Sequence, residues 1–238
     1  MKIDWPTFIK RRTPDRDKFP FGIRIYDAPQ GMGKSLSMCY DMRKIYNAFD
    51  DVSIVSNIKL NLPKNVTYQF YNDVEGLIQC LDYVEQQGLR HVLVLIDEGL
   101  TYFAENGGID PALMSKITQN RKNRRFIMIS TQKFTRLNNR LRDFSMETVQ
   151  CSHFGPIQVN RVRDDTKLIW DKNEMDYVGV KKYTYVFKRN NELFNLYDTN
   201  QIIKINTKIK TGSLLGDKSP PIQPVGEKKT FRRSKVTR

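Results

Sequence analysis

Residues 21–46 read FGIRIYDAPQGMGKSLSMCYDMRKIY, and the fold turns on this stretch. Phe21 to Asp27 alternates apolar and polar residues and is rich in β-formers, the period of a strand. From Lys34 to about Tyr46 the spacing is helical. Between them lies Ala28, Pro29, Gln30, Gly31, Met32, Gly33, Lys34, Ser35, with Leu36 opening the helix. Strand, glycine-rich loop, Lys-Ser and helix is the phosphate-binding P-loop pattern, with Ala28 where its first glycine usually stands. Gly31 and Gly33 allow backbone N–H groups to turn inward around phosphates, and the helix N-terminus adds its positive dipole. Lys34 is expected to reach the β- and γ-phosphates, and the Ser35 hydroxyl to ligate Mg²⁺.

Further along, His91 to Glu98 reads HVLVLIDE. A strand apolar on both faces belongs in the centre of a parallel sheet, and this one ends in a carboxylate pair. Asp97 is placed to hold the Mg²⁺ water shell, and Glu98 to polarise an attacking water. The expected site is therefore a triphosphate wrapped by main-chain amides, facing an acidic pair on a neighbouring strand. Periodicity does not distinguish ATP from GTP. A third apolar strand, Arg125 to Ser130, runs into Thr131-Gln132, where the Gln132 amide could approach the γ-phosphate and lytic water.

Around these motifs, Asp51 to Asn57 reads as a strand, and Asp73 to Gln87 and Pro111 to Asn120 as helices. The alternation implies a doubly wound α/β domain up to roughly residue 145. Beyond it, Thr148 to Arg163, Lys167 to Trp170 and Lys182 to Lys188 read as strands of a smaller, partly antiparallel addition. The expected organisation is an N-terminal arm over 1–20, a P-loop domain over 21–206 with the β-rich addition from about 147, and a tail over 207–238. That tail holds nine Lys/Arg against two acids and is expected to be flexible.

Length and composition narrow the class. The chain has 238 residues, 39% hydrophobic and 28% charged, the proportions of an ordinary globular protein. Forty Lys and Arg against 26 Asp and Glu give +14, which points to a polyanionic partner. No apolar run approaches the roughly 20 residues a bilayer-spanning helix needs, and the first residues do not read as a signal peptide. Cys39, Cys80 and Cys151 lack CxxC spacing and fit reduced thiols, and isolated His91 and His153 suggest no structural zinc. Ala112 to Arg142 holds nine Lys/Arg and no acid. Two roles compete for it. Arg121, Arg124 or Arg125 could act as an arginine finger in a neighbouring subunit's site. Alternatively Lys133, Arg136, Arg140 and Arg142 could grip a phosphate backbone.

The order GIRIYDAPQGMGKS, VSIVSNIKLNLP, VLVLIDEGLTYF, NRKNRRFIMISTQ, LRDF and LFNLYDTNQ resembles the zonula occludens toxin-like and filamentous-phage assembly ATPases. These fall in the FtsK–HerA class of DNA-pumping P-loop motors, alongside viral packaging ATPases. Ser56-Asn57-Ile58 and Tyr197-Asp198-Thr199 are the more family-specific pieces. The resemblance implies an ATP- and Mg²⁺-dependent homo-oligomeric ring acting on viral DNA in the host cytoplasm, associated with a virion or the inner face of a membrane. It makes Gln132 the sensor glutamine, Arg121 the first choice for the trans-acting finger, and Arg142 a basic position after the sensor strand. Many phage-assembly members carry a transmembrane helix after the ATPase domain. Without one, a ring docked on a capsid, portal or membrane-protein partner and packaging a genome fits better than extrusion through its own anchor. A nucleotide-gated structural adaptor with little turnover is the alternative, and Glu98 argues against it.

Overall fold

The structure, a computed structural model, describes residues 19–64, 66–104, 108–119, 125–172 and 175–198. Most of the N-terminal arm, Arg121, Arg124, Thr199 and the basic tail lie outside these residues. Eight strands form one sheet: β1 Gly22–Asp27, β2 Val52–Ser56, β3 Thr67–Phe70, β4 His91–Ile96, β5 Arg125–Thr131, β6 Ser145–Phe154, β7 Ile157–Asp171 and β8 Asp176–Lys188. Their order is β3-β2-β4-β5-β1-β6-β7-β8. The first six in this order run parallel to one another, β7 is antiparallel to β6, and β8 is antiparallel to β7. The helices are α1 Lys34–Tyr46, α2 Val74–Gln86, α3 Leu100–Phe103, α4 Pro111–Thr118, α5 Asn139–Asp143 and α6 Asn191–Phe194. No helix among the described residues is long and apolar enough to cross a membrane. The architecture is that of an α/β P-loop NTPase.

Strand alternation divides the core into two layers. On one face Tyr26, Leu93, Leu95, Phe126 and Met128 pack with Leu36, Met38 and Met42 of α1. On the other, Ile23, Ile25, Val92, Val94, Ile96, Ile127 and Ile129 meet Leu77, Leu81 and Val84 of α2 and Leu113 and Ile117 of α4. Both faces of the central strands are thereby covered, which is why they read as continuous apolar runs. The loop-to-helix junctions are chemically marked. Asp73 caps α2 by accepting from Gly76 N at 2.8 Å, and Asp110 caps α4 ahead of Pro111.

Two expectations need correction. β4 is not beside β1: β5 lies between them, pairing Asp27 with Thr131 on one side and Ile96 with Ile129 on the other. Thr148 to Arg163 is not a single strand, because Gly155 (φ 53°) and Pro156 turn the chain from β6 into antiparallel β7. The late strands form the partly antiparallel addition expected: β6 pairs in parallel with β1 and extends the main sheet, and β7 and β8 follow it antiparallel. The β7–β8 ribbon outruns β6, whose pairing with β7 stops at Asp164. Near the ribbon's far end Leu168, Ile169, Trp170, Met175 and Tyr177 are exposed.

Candidate functional site

A parallel sheet collects all its strand C-termini at one edge, and the loops that follow β1, β4 and β5 meet there. Beyond β1, Gly31 and Gly33 both adopt φ 81°, a left-handed conformation open to glycine at little cost. Gly33 is the N-cap of α1, which carries no side-chain cap, so the helix's first N–H groups face the loop. Lys34 Nζ donates to Pro29 O at 3.1 Å, folding its ammonium back over the loop. That ammonium is a donor suited to phosphate oxygens.

Ser35 Oγ lies 2.9 and 3.0 Å from the two carboxylate oxygens of Asp97. The strand holding Asp97 is two places from β1, yet the hydroxyl and the carboxylate touch. Two neighbours fix the carboxylate's residue. Asn57, the first residue beyond β2, donates through Nδ2 to Asp97 O at 2.9 Å and accepts from Asp97 N at 2.8 Å. Ser130 near the end of β5 donates to Asp97 Oδ1 and accepts from Glu98 N at 3.1 Å. Glu98 itself takes φ 55°, an uncommon conformation for a residue with a side chain. Gly99 next to it donates to Ser130 O at 2.7 Å and has no room for a side chain against Ile129 and Ser130. The intervening strand thus acts as a spacer that ties the acidic pair to the cradle.

These groups open into a cavity of about 540 Å³. One wall is Gln30, Gly31, Gly33, Lys34, Ser35 and Leu36; another is Asp97, Glu98 and Thr101. The donor set fits Mg²⁺, which takes hard oxygen ligands, keeps several waters and uses few protein groups. Ser35 and Asp97 are the residues to hold it.

Several site residues carry no obvious signal in the sequence. Gln158, the second residue of β7, is fully buried beneath the loop and donates through Nε2 to Met32 O at 2.9 Å. Asn160, also fully buried, accepts from Ser37 Oγ of α1 at 3.1 Å. Gln158 Oε1 and Asn160 Nδ2 have no partner among the described residues. The remaining cavity wall is Ile58, Arg189, Phe194, Tyr197 and Asp198. Cys39 and Cys151 are buried, which pushes both thiols up, Cys151 to about 12, so they behave as small apolar side chains.

The basic residues divide. Lys133, Arg136 and Arg140 are exposed, Lys133 and Arg136 in the turn after β5, where Phe134 N donates to Asp27 Oδ1 at 3.1 Å. Arg142 is half-buried, 5.9 Å from the Phe134 ring. Arg125 corrects the sequence reading. Its side chain is 1% exposed and its Nη2 bonds Glu85 Oε1 of α2 at 2.5 Å, at the opposite end of β5 from the cavity. A cation held there under α2 does not present itself to a neighbouring subunit or to a backbone phosphate. Gln132 is the first residue past β5, exposed on the same edge as the loop and Asp97 but outside the cavity lining.

No protein-family profile matches the chain, and no curated protein matches it in sequence. Among solved structures, the chain is similar to the N-terminal domain of zonular occludens toxin from Neisseria meningitidis. Identity there is 16%, coverage is 74% of this chain and 98% of that one, and the TM-score is 0.53. The genome-packaging NTPase B204 from Sulfolobus turreted icosahedral virus 2, in complex with AMPPCP, scores 0.48 at 14% identity over 68% of this chain and 97% of that one. The first likeness shows the fold that the sequence resemblance implies.

Proposed function

We propose that this protein is an ATP-hydrolysing motor that works as an oligomeric ring in the host cytoplasm and translocates viral DNA, in genome packaging or virion assembly. The observation that carries the reading is the contact between Ser35 and Asp97 at 2.9 Å, with Glu98 held beside it. A cradle without the acids would bind a triphosphate and stop. Here a hydroxyl and a carboxylate meet where a phosphate-bound cation belongs, and a second carboxylate lines the same cavity.

The roles follow from the chemistry. The amides around Gly31 and Gly33 wrap the phosphates, and Lys34 leaves Pro29 O to pair with the β- and γ-oxygens. Mg²⁺, when bound by Ser35 and Asp97, supplies neutralisation of charge developing on those oxygens. Glu98 accepts a proton from the attacking water, and its fixed backbone limits where that water can sit. Gln132, at the end of the spacer strand, orients the water or senses the γ-phosphate. Arg121, or Arg124, enters the neighbouring subunit's site. Exposed Lys133, Arg136 and Arg140 and the net charge of +14 support contact with a nucleic-acid backbone. A capsid, portal or membrane protein docks the ring on the particle.

ATP turnover, measured with and without DNA for wild type, Lys34→Ala and Glu98→Gln, tests the proposal. Wild-type hydrolysis stimulated by DNA and abolished in both variants is expected. Undiminished turnover in Lys34→Ala rejects the site assignment. Equal wild-type rates with and without DNA, on an oligomer shown by mass measurement to be assembled, reject translocation. Tight ATP binding with negligible wild-type turnover identifies an adaptor.

A further inference from the structure

The cradle and the acids account for only the phosphate end of the cavity. A volume of about 540 Å³ is that of a pocket for a whole drug-sized ligand rather than for a triphosphate chain alone. Its other wall comes from a segment that follows the last strand. We infer that residues 189–198 form a strap that binds the nucleoside, with Phe194 and Tyr197 against the base and Arg189 and Asp198 supplying its polar contacts. The inference rests on the cradle's being a triphosphate site and adds what reads the rest of the ligand.

The strap is fastened at both ends. At the β8 end Arg189 N donates to Pro156 O at 2.7 Å in the β6–β7 turn. In the middle, Asn190 caps α6 by accepting from Leu193 N at 3.1 Å, and Leu193, 3% exposed, plugs into the core layer that holds α1. At the far end Tyr197 pairs with Leu60, Asn61 N donates to Leu196 O at 2.8 Å, and Asp198 N donates to Lys59 O at 3.2 Å. The segment therefore crosses from the last strand, past α1, to the loop after β2. Phe194, Tyr197, Arg189 and Asp198 line the cavity, Phe194 and Tyr197 with part of their surface packed against the core layer of α1.

The chemistry of this wall suits a nucleoside. Two aromatic rings offer stacking surface. The Arg189 guanidinium lies 5.6 Å from the Phe194 ring centroid, and its Nε is buried with no hydrogen-bond partner among the described residues. A donor in that position suits a base nitrogen or carbonyl, while the Asp198 carboxylate suits hydroxyl or amino donors. A flat ring with acceptors at its edge and hydroxyls on its sugar carries both complements.

The test compares two ligands on the full chain by calorimetry: Mg-ATP and Mg-tripolyphosphate, which carries the same phosphates without the nucleoside. Phe194→Leu keeps an apolar side chain and removes the π face; Arg189→Gln removes the cation. Phe194→Leu is expected to weaken ATP about tenfold or more, the cost of losing a base-stacking partner, and Arg189→Gln to weaken it about tenfold or more, the cost of a lost hydrogen bond from a charged group. Tripolyphosphate affinity is expected to stay within about twofold of wild type, and the Tm without ligand to be unchanged for Arg189→Gln. Lys34→Ala serves as the contrast and loses both ligands. Variants that leave ATP affinity intact, or that lower both ligands equally, overturn the strap assignment while leaving the cradle standing. Wild-type protein that binds neither ligand overturns the cradle and the strap together.

Discussion

Two glycines of the loop share one backbone conformation and differ in what surrounds them, so exchanging each for alanine separates backbone strain from packing. Gly31 and Gly33 both have φ 81°. Placing any L side chain in that region costs about 1–2 kcal/mol. A Cβ at Gly31 meets nothing within 4 Å. A Cβ at Gly33 would sit 2.9 Å from Gln158 Cδ and 3.0 Å from its Nε2, and closer still to Oε1. Gln158 is fully buried and cannot swing into solvent, so Gly33→Ala must also break its hydrogen bond to Met32 O. Stranding a buried amide adds about 1–3 kcal/mol. Gly31→Ala is then expected to cost about 1–2 kcal/mol and Gly33→Ala about 2–5 kcal/mol. In a domain of this size each 1 kcal/mol lowers the Tm by about 2–4 °C. Thermal and denaturant unfolding of the ligand-free chain would resolve the two. The double variant Gly33→Ala/Gln158→Ala removes the obstruction, so its cost should fall short of the sum of the single costs by about 0.5–3 kcal/mol. Equal losses at the two glycines, or additivity in the double variant, would refute the idea that β7 forms the floor of the loop.

Other perturbations probe separate contacts. Glu98→Gln keeps the shape of the side chain and removes the proton acceptor; turnover should fall about a hundred- to ten-thousand-fold while ATP affinity changes little. Unchanged turnover would move the base elsewhere. Ser35→Ala removes the hydroxyl that meets Asp97 and should raise the Mg²⁺ concentration needed for half-maximal ATP binding, with binding of ADP without metal less affected. Glu85 gives a pH test. Burial pushes its carboxyl up, but the hydrogen bond and charge of Arg125, followed by those of Lys116, outweigh this and leave it below its ordinary 4.5. A folded-state value below the unfolded one contributes stability above pH 4.5 that disappears as the pH falls through the folded value. Glu85→Ala should therefore cost about 1–3 kcal/mol near pH 7 by stranding buried Arg125, and the gap to wild type should close in acid. A gap independent of pH would show that the pair contributes through packing alone.

What the sequence disclosed and what it concealed follow from the range of the interactions. The cradle was legible because every part of it is local: a strand, two glycines, a lysine, a serine and a helix within a few turns of chain. Asp97 and Glu98 were legible because a central strand must be apolar on both faces until it stops. That β5 lies between them and the cradle was not legible, since strand order in a parallel sheet is a property of crossovers and not of spacing. Arg125 reads in the sequence as one of the arginine-finger candidates, although a signal against that role exists. Residues 125, 127 and 129 fall on one face of a strand, and Ile127 and Ile129 belong to the core. The Gly155-Pro156 turn was equally readable as a break between strands. β3 gave no such signal, being four residues at a sheet edge, half-exposed and flanked by polar chain. Gln158 and Asn160 were invisible for a different reason. A polar residue alternating with apolar ones predicts a solvent face, and here that face is the underside of the glycine-rich loop.

That last point explains how the late strands serve the site. β6 lies parallel to β1 and ends at the edge where the cradle sits. A two-residue turn can return the chain only antiparallel, so the first residues of β7 must start beside the loop. Gln158 and Asn160 occupy those positions and bond Met32 O and Ser37 Oγ. β8 returns to the same edge and releases the chain at Arg189, another wall residue of the cavity. The sheet's antiparallel end is thus tied to the site twice, once under the glycine-rich loop and once along the opposite wall. A change in the loop on exchanging ligands would meet Gln158 first, which bonds Met32 O and lies against Gly33. Hydrogen exchange along β7 and β8, compared with and without Mg-ATP, should show protection rising at the amides around Gln158 in wild type. Gln158→Ala should lose that response while still binding the nucleotide.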